Sequence, residues 1–164
     1  MKYLVTTLFL ALSLNAAALE VGDSAPCVVV NQIAADGSES EHCIRDRAEN
    51  QKFALVEFFS ITCTDCQANL PKLRSLGLSV AATANTRMVS IDRNETAVRT
   101  YVDKNRKQLP FEIALDLDRD AKKAYGVVQT PTLFVLDENN KIVFKHSGIL
   151  SCEDIETVQS IVAE

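Results

Sequence analysis

The chain contains no tryptophan and only two histidines, His42 and His146, which stand far apart. Structural zinc normally takes four thiolate or imidazole ligands. Neither a second Cys-x-x-Cys nor a histidine pair at ligand spacing occurs, so no metal site and no cofactor is expected. No basic run and no Lys/Arg patch interleaved with aromatics is present, and 17 basic against 22 acidic residues give a net charge of −5. Nucleic acid and anionic lipid are therefore not expected as partners. Glycine and proline number five and four, and no Pro/Gly linker, internal repeat or low-complexity tract divides the chain. Past residue 18 no apolar run approaches the roughly 20 residues that span a bilayer. What remains, 47% hydrophobic and 24% charged over 164 residues, is the composition of one ordinary globular domain with a single core.

The first eighteen residues read as a leader rather than as part of that core. Lys2 supplies the positive start, the run from Tyr3 to Leu14 is apolar apart from Thr6, Thr7 and Ser13, and Ala16-Ala17-Ala18 fits a small-x-small cleavage site. No cysteine follows the apolar run directly, which disfavours a lipoprotein anchor. The expected organisation is a signal peptide over 1–18 and one domain over 19–164. Removal of Lys2 with the leader takes the charge from 17 − 22 to 16 − 22, or −6.

Export bears on the five cysteines, Cys27, Cys43, Cys63, Cys66 and Cys152. In an oxidising compartment an odd number cannot all pair within one chain. A domain of this size has no need of a disulfide framework, so the close pair Cys63/Cys66 calls for another explanation.

From residue 51 onward strands and helices alternate. Phe53 to Phe59 is an apolar, β-favouring run interrupted only by Glu57, as in a strand buried on both faces. A helix from about Asp65 to Leu76, a strand over Arg87–Ile91, a helix from about Glu95 to Lys107, a strand over Phe111–Leu115 and a short helix from Arg119 to Tyr125 follow. Thr132–Leu136 and Lys141–Phe144 flank an Asn139-Asn140 turn as a hairpin. Ser151 and Asp154 form a capping box for a last helix carrying Ile155, Val158, Ile161 and Val162. In front, residues 19–50 read as an appended hairpin around Asp36-Gly37. The order is an α/β domain with a mixed sheet.

The strand-to-helix junction places Cys63 at a helix N-terminus, where free amides and the dipole favour thiolate. Cys63 is the expected attacking sulfur, and Cys66, one turn along, the resolving one. Glu57 six residues before Cys63, Pro71 five residues after Cys66, and Thr130-Pro131 ahead of a strand complete a pattern that resembles the thioredoxin superfamily. The resemblance implies that Glu57 is a buried carboxylate relaying a proton to or from Cys66, its pKa raised by burial. It also implies that Pro131 is cis and that Thr130 binds substrate backbone edge-on, as in strand addition.

With Val21-Gly-Asp-Ser-Ala-Pro26, Ala124-Tyr-Gly-Val127, Thr130 to Asp137 and Gly148, nearly all of the mature chain is similar to TlpA/ResA-like, AhpC/TSA-related exported thioredoxins. The spacing from Cys66 to Pro131 leaves room for the strand and helix those proteins insert. This likeness implies a periplasmic oxidoreductase passing electrons to client disulfides after reduction by a membrane thiol donor. Thr62 replaces the aromatic residue usual before the first cysteine, and Thr64-Asp65 the common proline-containing dipeptide. Asp65 places negative charge near Cys63, which disfavours thiolate and points to a reductant.

For the other cysteines, a two-residue Asp36-Gly37 turn would pair residues summing to 73 and leave Cys27 and Cys43 three positions out of register. A 27–43 disulfide would then need an irregular turn, and Cys152 pairing with either is the alternative. Two rival functions belong to other classes. A peroxiredoxin-like peroxidase would carry Ser or Thr three positions and Pro seven positions before its reactive cysteine; Ser60 fits, but Val56 does not. A copper-binding assembly protein would use both thiolates and a histidine, with His146 the downstream candidate. Asp116 to Asp120 lacks the Gly and terminal Glu of a calcium loop and reads as a solvated turn capping the next helix.

Overall fold

The computed structural model describes residues 18–34, 36–109 and 111–163. The expected leader, apart from Ala18, lies outside the described residues. Among them, no helix is long and apolar enough to cross a membrane.

Seven strands form one mixed sheet. In chain order they are β1 (Val29–Ile33), β2 (Glu39–Cys43), β3 (Phe53–Phe59), β4 (Ala84–Ser90), β5 (Glu112–Leu115), β6 (Thr132–Leu136) and β7 (Ile142–Ser147). Their spatial order is β2-β1-β5-β4-β3-β6-β7. The central strands β3, β4 and β5 run parallel, whereas β6 and β7 continue the sheet antiparallel beyond β3. The helices are α1 (Thr64–Val80), α2 (Glu95–Asn105), α3 (Asp120–Ala124) and α4 (Cys152–Val162). The strand–helix unit β5–α3, between α2 and β6, is the insertion expected from the long Cys66-to-Pro131 spacing.

β3 alternates between two cores, as a strand buried on both faces must. Leu55 and Phe59 pack with Leu70, Leu73 and Leu76 of α1, Val98 and Val102 of α2, and Val158 and Val162 of α4. Ala54, Val56 and Phe58 face Ala121 of α3, Tyr125, Phe134 and the N-terminal residues Ala25, Val30 and Ile44. Glu57 shares the pleat face of Leu55 and Phe59, so its side chain is directed under α1.

Side-chain caps set the helix starts. Asn94 Oδ1 accepts from Ala97 N at 3.0 Å at the start of α2. At α4, Ser151 Oγ accepts from Asp154 N while the Asp154 carboxylate accepts from Ser151 N, the capping box read from the sequence. The acidic turn before α3 does cap that helix, but not as a solvated turn. Asp116 is buried and takes the Ala121 and Lys122 amides at 3.0 and 2.7 Å. Both amides belong to the first turn of α3, where no carbonyl within the helix can accept them.

The N-terminal hairpin is part of the main sheet, because β1 pairs antiparallel with β5. Its register also differs from the one a two-residue turn dictates. The connection spans residues 34–38, with Ala34 N donating to Ser38 O and Gly37 at φ +86°, and Val29 faces Cys43. Paired positions therefore sum to 72. The Cys27 and Cys43 Cα atoms lie 5.3 Å apart and their sulfurs are joined, while Cys152 is exposed and unpaired. Cys152 thus pairs with neither Cys27 nor Cys43, against the alternative read from the sequence.

Gly77 fits where a methyl would not. A Cβ there would meet Phe111 Cε1 at 2.6 Å and Thr86 Oγ1 at 3.0 Å. Alanine is the better helix former by about 1 kcal/mol, yet overpacking a core costs about 1–3 kcal/mol. Gly77→Ala is therefore expected to lower the unfolding free energy by up to about 2 kcal/mol, the overpacking cost less the helix-propensity gain, read from urea midpoints at constant m-value.

Candidate active site

α1 begins where β3 ends, and its cap is a sulfur. Cys63 is extended, at φ −82° and ψ 114°, and its Sγ accepts from Cys66 N at 3.1 Å. The two cysteines are joined, with Cα atoms 5.2 Å apart. Cys63 is partly exposed and Cys66 buried. That asymmetry separates an entering sulfur from a resolving one. Thr64 and Asp65 occupy the first turn of α1, both exposed. Pro71 lies inside α1, and the helix runs through it to Val80.

The Thr130–Pro131 peptide is cis, the isomer implied by the resemblance. Thr130 O lies 3.4 Å from Cys63 Sγ. Thr132 pairs with Phe58 at the end of β3, so the antiparallel register carries the proline loop back over the cysteines. The backbone just before Pro131 therefore borders the partly exposed sulfur.

Glu57 is fully buried beneath α1. Loss of water around the carboxylate pushes its pKa up to about 8, against a smaller opposing effect from the Asn69 hydrogen bond. Asn69 Nδ2 donates to the two carboxylate oxygens at 3.4 and 3.2 Å, while its Oδ1 accepts from Leu150 N at 2.9 Å. The backbone amide of Leu150 thus fixes which end of the Asn69 side chain meets Glu57. Asn69 is three residues past Cys66 and lies on the same helix face.

Sequence reasoning passed over Asn69, although a polar residue in the stripe Cys66, Leu70, Leu73 was a readable sign of a buried polar partner. It also passed over Asp92. The Asp92 carboxylate accepts from Ser60 Oγ, Ile61 N and Ser90 Oγ at 2.7, 2.9 and 2.9 Å, which holds the loop leading into Cys63. Only the parallel pairing of Phe59 with Ser90 brings these segments together, and no local pattern encodes it. His146, the histidine considered as a copper ligand, instead has its Nδ1 3.2 Å from Asp154 Oδ1 at the start of α4.

A family profile described as AhpC/TSA matches residues 21–145, three quarters of the chain and the whole of this site. The chain belongs to the AhpC/TSA family.

Among similar proteins, the thiol-disulfide oxidoreductase ResA of Bacillus thuringiensis subsp. konkukian is 26% identical over 140 residues, covering 84% of this chain and 76% of ResA. StoA from Bacillus subtilis superposes with a TM-score of 0.63 at 21% identity, over 83% of this chain and 97% of StoA. Mycobacterium tuberculosis AhpC gives 0.66 at 20% identity, over 90% and 93%. The two structural likenesses establish the thioredoxin-like α/β fold. Within this AhpC/TSA family member the Cys-x-x-Cys pair stands at disulfide distance, as a redox pair requires, and the ResA relatives carry the name of an oxidoreductase. Val56, inside β3, stands where the peroxidase pattern requires proline.

Proposed function

We propose that the protein is an exported enzyme that reduces disulfides in client proteins through Cys63 and Cys66, and that it is recharged by a membrane thiol donor. The observation that carries this reading is the contact of Cys63 Sγ with the Thr130 carbonyl beside cis-Pro131. It gives the attacking sulfur an adjoining backbone edge on which an extended client segment can add as a strand.

The exchange balances as follows. The Cys63 thiolate attacks one client sulfur, forming a mixed disulfide and expelling the other client sulfur as thiolate, which takes a proton. Cys66 then gives up its proton, attacks Cys63 Sγ and releases the second client thiol. Two electrons pass from the dithiol to the client disulfide. Glu57, held by Asn69 one helix turn past Cys66, acts as the base for Cys66. Thr64 and Asp65 set the potential. Asp65 disfavours the Cys63 thiolate, so the disulfide form is favoured and the dithiol is a reductant.

Residues 1–18 are the leader removed on export and 19–164 the working domain. The resemblance to exported relatives supports the periplasm as the compartment of that domain, and the lack of basic patterning in the sequence argues against nucleic acid as a partner.

Equilibration of the purified protein in graded dithiothreitol or glutathione buffers, with Cys63→Ser as the control, tests this reading. A two-electron midpoint near roughly −270 mV is expected of a reductant, whereas one near −120 mV would make the protein an oxidant. Absence of any reversible couple would remove the proposal, and hydroperoxide consumption would replace it with a peroxidase.

A further inference from the structure

The rim of the site beside the proline loop carries an unusual concentration of one charge. Arg93, Arg119, Lys122 and Lys123 line one open cavity of about 450 Å³, together with Val128 and its neighbours. In a chain with net charge −5, four cations on one rim stand out.

Two connections tie this shelf to Cys63. Arg93 follows Asp92, whose carboxylate holds Ser60 and Ile61 just ahead of Cys63. Val128, 86% exposed, lies two residues before Thr130, whose carbonyl touches Cys63 Sγ.

The carboxylates nearest the shelf in the chain are largely occupied. Asp92 accepts from Ser60, Ile61 and Ser90. Asp116 accepts from the Ala121 and Lys122 amides. Asp120 pairs with Lys123 at 2.9 Å. Asp118 is exposed and offers its backbone carbonyl to Lys123. Among the described residues Arg93, Arg119 and Lys122 make no ion pair. Arg119 donates only through Nε, to Ile91 O at 3.0 Å, which leaves the outer nitrogens of its guanidinium available. Two residues past Cys63, in the first turn of α1, the exposed charge is negative, at Asp65.

We propose that this shelf selects clients whose reactive cysteine is flanked by carboxylates, the acidic segment lying across Val128 towards Arg93, Arg119 and Lys122. The inference rests on the disulfide-exchange reading and adds the chemistry of the partner. A client adding edge-on at Thr130 passes Val128, which supplies an apolar contact, and its carboxylates reach cations that make no ion pair among the described residues. Asp65, in the first turn of α1, repels the same carboxylates, so the two charges orient the client as well as attract it. Complementarity of this kind acts mainly on encounter and register, and it fades as salt shortens the screening length.

The test uses three peptides closing the same disulfide ring, flanked by Asp, Ser or Lys. Each kcat/KM is divided by the rate of the same peptide with dithiothreitol, which removes differences in intrinsic reactivity. At low ionic strength the Asp peptide is expected to exceed the Lys peptide by about tenfold. The gap should close in molar salt, and the double variant Arg93→Glu/Lys122→Glu should reverse the order. Equal normalised rates for all three peptides in the wild-type protein, independent of salt, would overturn the proposal while leaving the exchange reading intact. A wild-type preference that survives charge reversal in a variant with unchanged circular dichroism would overturn it as well. If that variant does not fold, the peptide ranking and its salt dependence in the wild-type protein decide. Failure to reduce any of the three peptides would remove the exchange reading and this inference together.

Discussion

Cys63→Ser is expected to abolish disulfide reduction, by at least about a thousandfold, and Cys66→Ser to convert the enzyme into a trap. The difference follows from the geometry of the first turn of α1. Cys63 is partly exposed and its Sγ accepts the Cys66 amide at 3.1 Å, a donor that favours its thiolate. Serine at 63 keeps the cap and loses the nucleophile. With serine at 66, Cys63 still attacks but nothing resolves the product, so a mixed disulfide accumulates. A non-reducing gel of the Cys66→Ser protein incubated with a disulfide substrate should show a covalent adduct that dithiothreitol dissolves. An adduct in Cys63→Ser but not in Cys66→Ser would invert the two roles.

Glu57→Gln should be more stable than the native chain at alkaline pH and slower at resolving the mixed disulfide. Burial raises the Glu57 carboxyl from 4.5 to about 8. Between these values the folded chain holds a proton that the unfolded chain has released, so the slope of unfolding free energy against pH is negative. Stability is highest below about pH 4.5 as far as this group is concerned, falls as pH rises, and levels off above about 8. At about 1.4 kcal/mol for each pH unit, the interval corresponds to a loss on the order of 5 kcal/mol.

Glutamine cannot ionise. The variant should therefore gain most over the native chain near pH 8.5 and least near pH 5, with about 2–4 °C in melting temperature for each kcal/mol. The same substitution removes the base proposed for Cys66. Stopped-flow resolution rates should rise in the native protein up to a plateau above pH 8, and in the variant they should fall at least about tenfold with that ionisation missing. A melting temperature that depends on pH identically in both proteins would show that Glu57 does not titrate in this interval. Asn69→Ala should move the profile too, because the amide that favours the charged form is lost.

Much of this site was legible because its parts are local. A seven-residue strand whose apolar run is broken only by Glu57, a Cys-x-x-Cys at the strand-to-helix junction and a Thr-Pro before the next hairpin each carry their own signal. The capping box at Ser151 and the Asn139-Asn140 turn are local as well. Pairings between distant segments were not legible. The Asp92 contacts with the 60–61 loop exist only because β4 lies parallel to β3. The Cys27–Cys43 bond depends on how the chain turns through residues 34–38, which the Asp36-Gly37 signal alone misplaces by one residue. Asp116 looked like one acid among several in a polar turn, but its neighbours Leu115 and Ala121 are both buried and draw it inside with them.

The order of strands bears on when the fold can form. β1 is among the first segments to leave the ribosome, yet its partner on the inner side is β5, with Asn31 facing Leu115. The central β3 likewise waits for β6, with Ala54 facing Leu136. Such long-range pairings make folding slow and concentrate it at the end of synthesis. Until then the β1–β2 hairpin and the β3–α1–β4 unit lack their remaining sheet partners, and an isolated hairpin is marginal in water. In this topology the sheet, and the core on its two faces, is complete only after the last hairpin has joined β3.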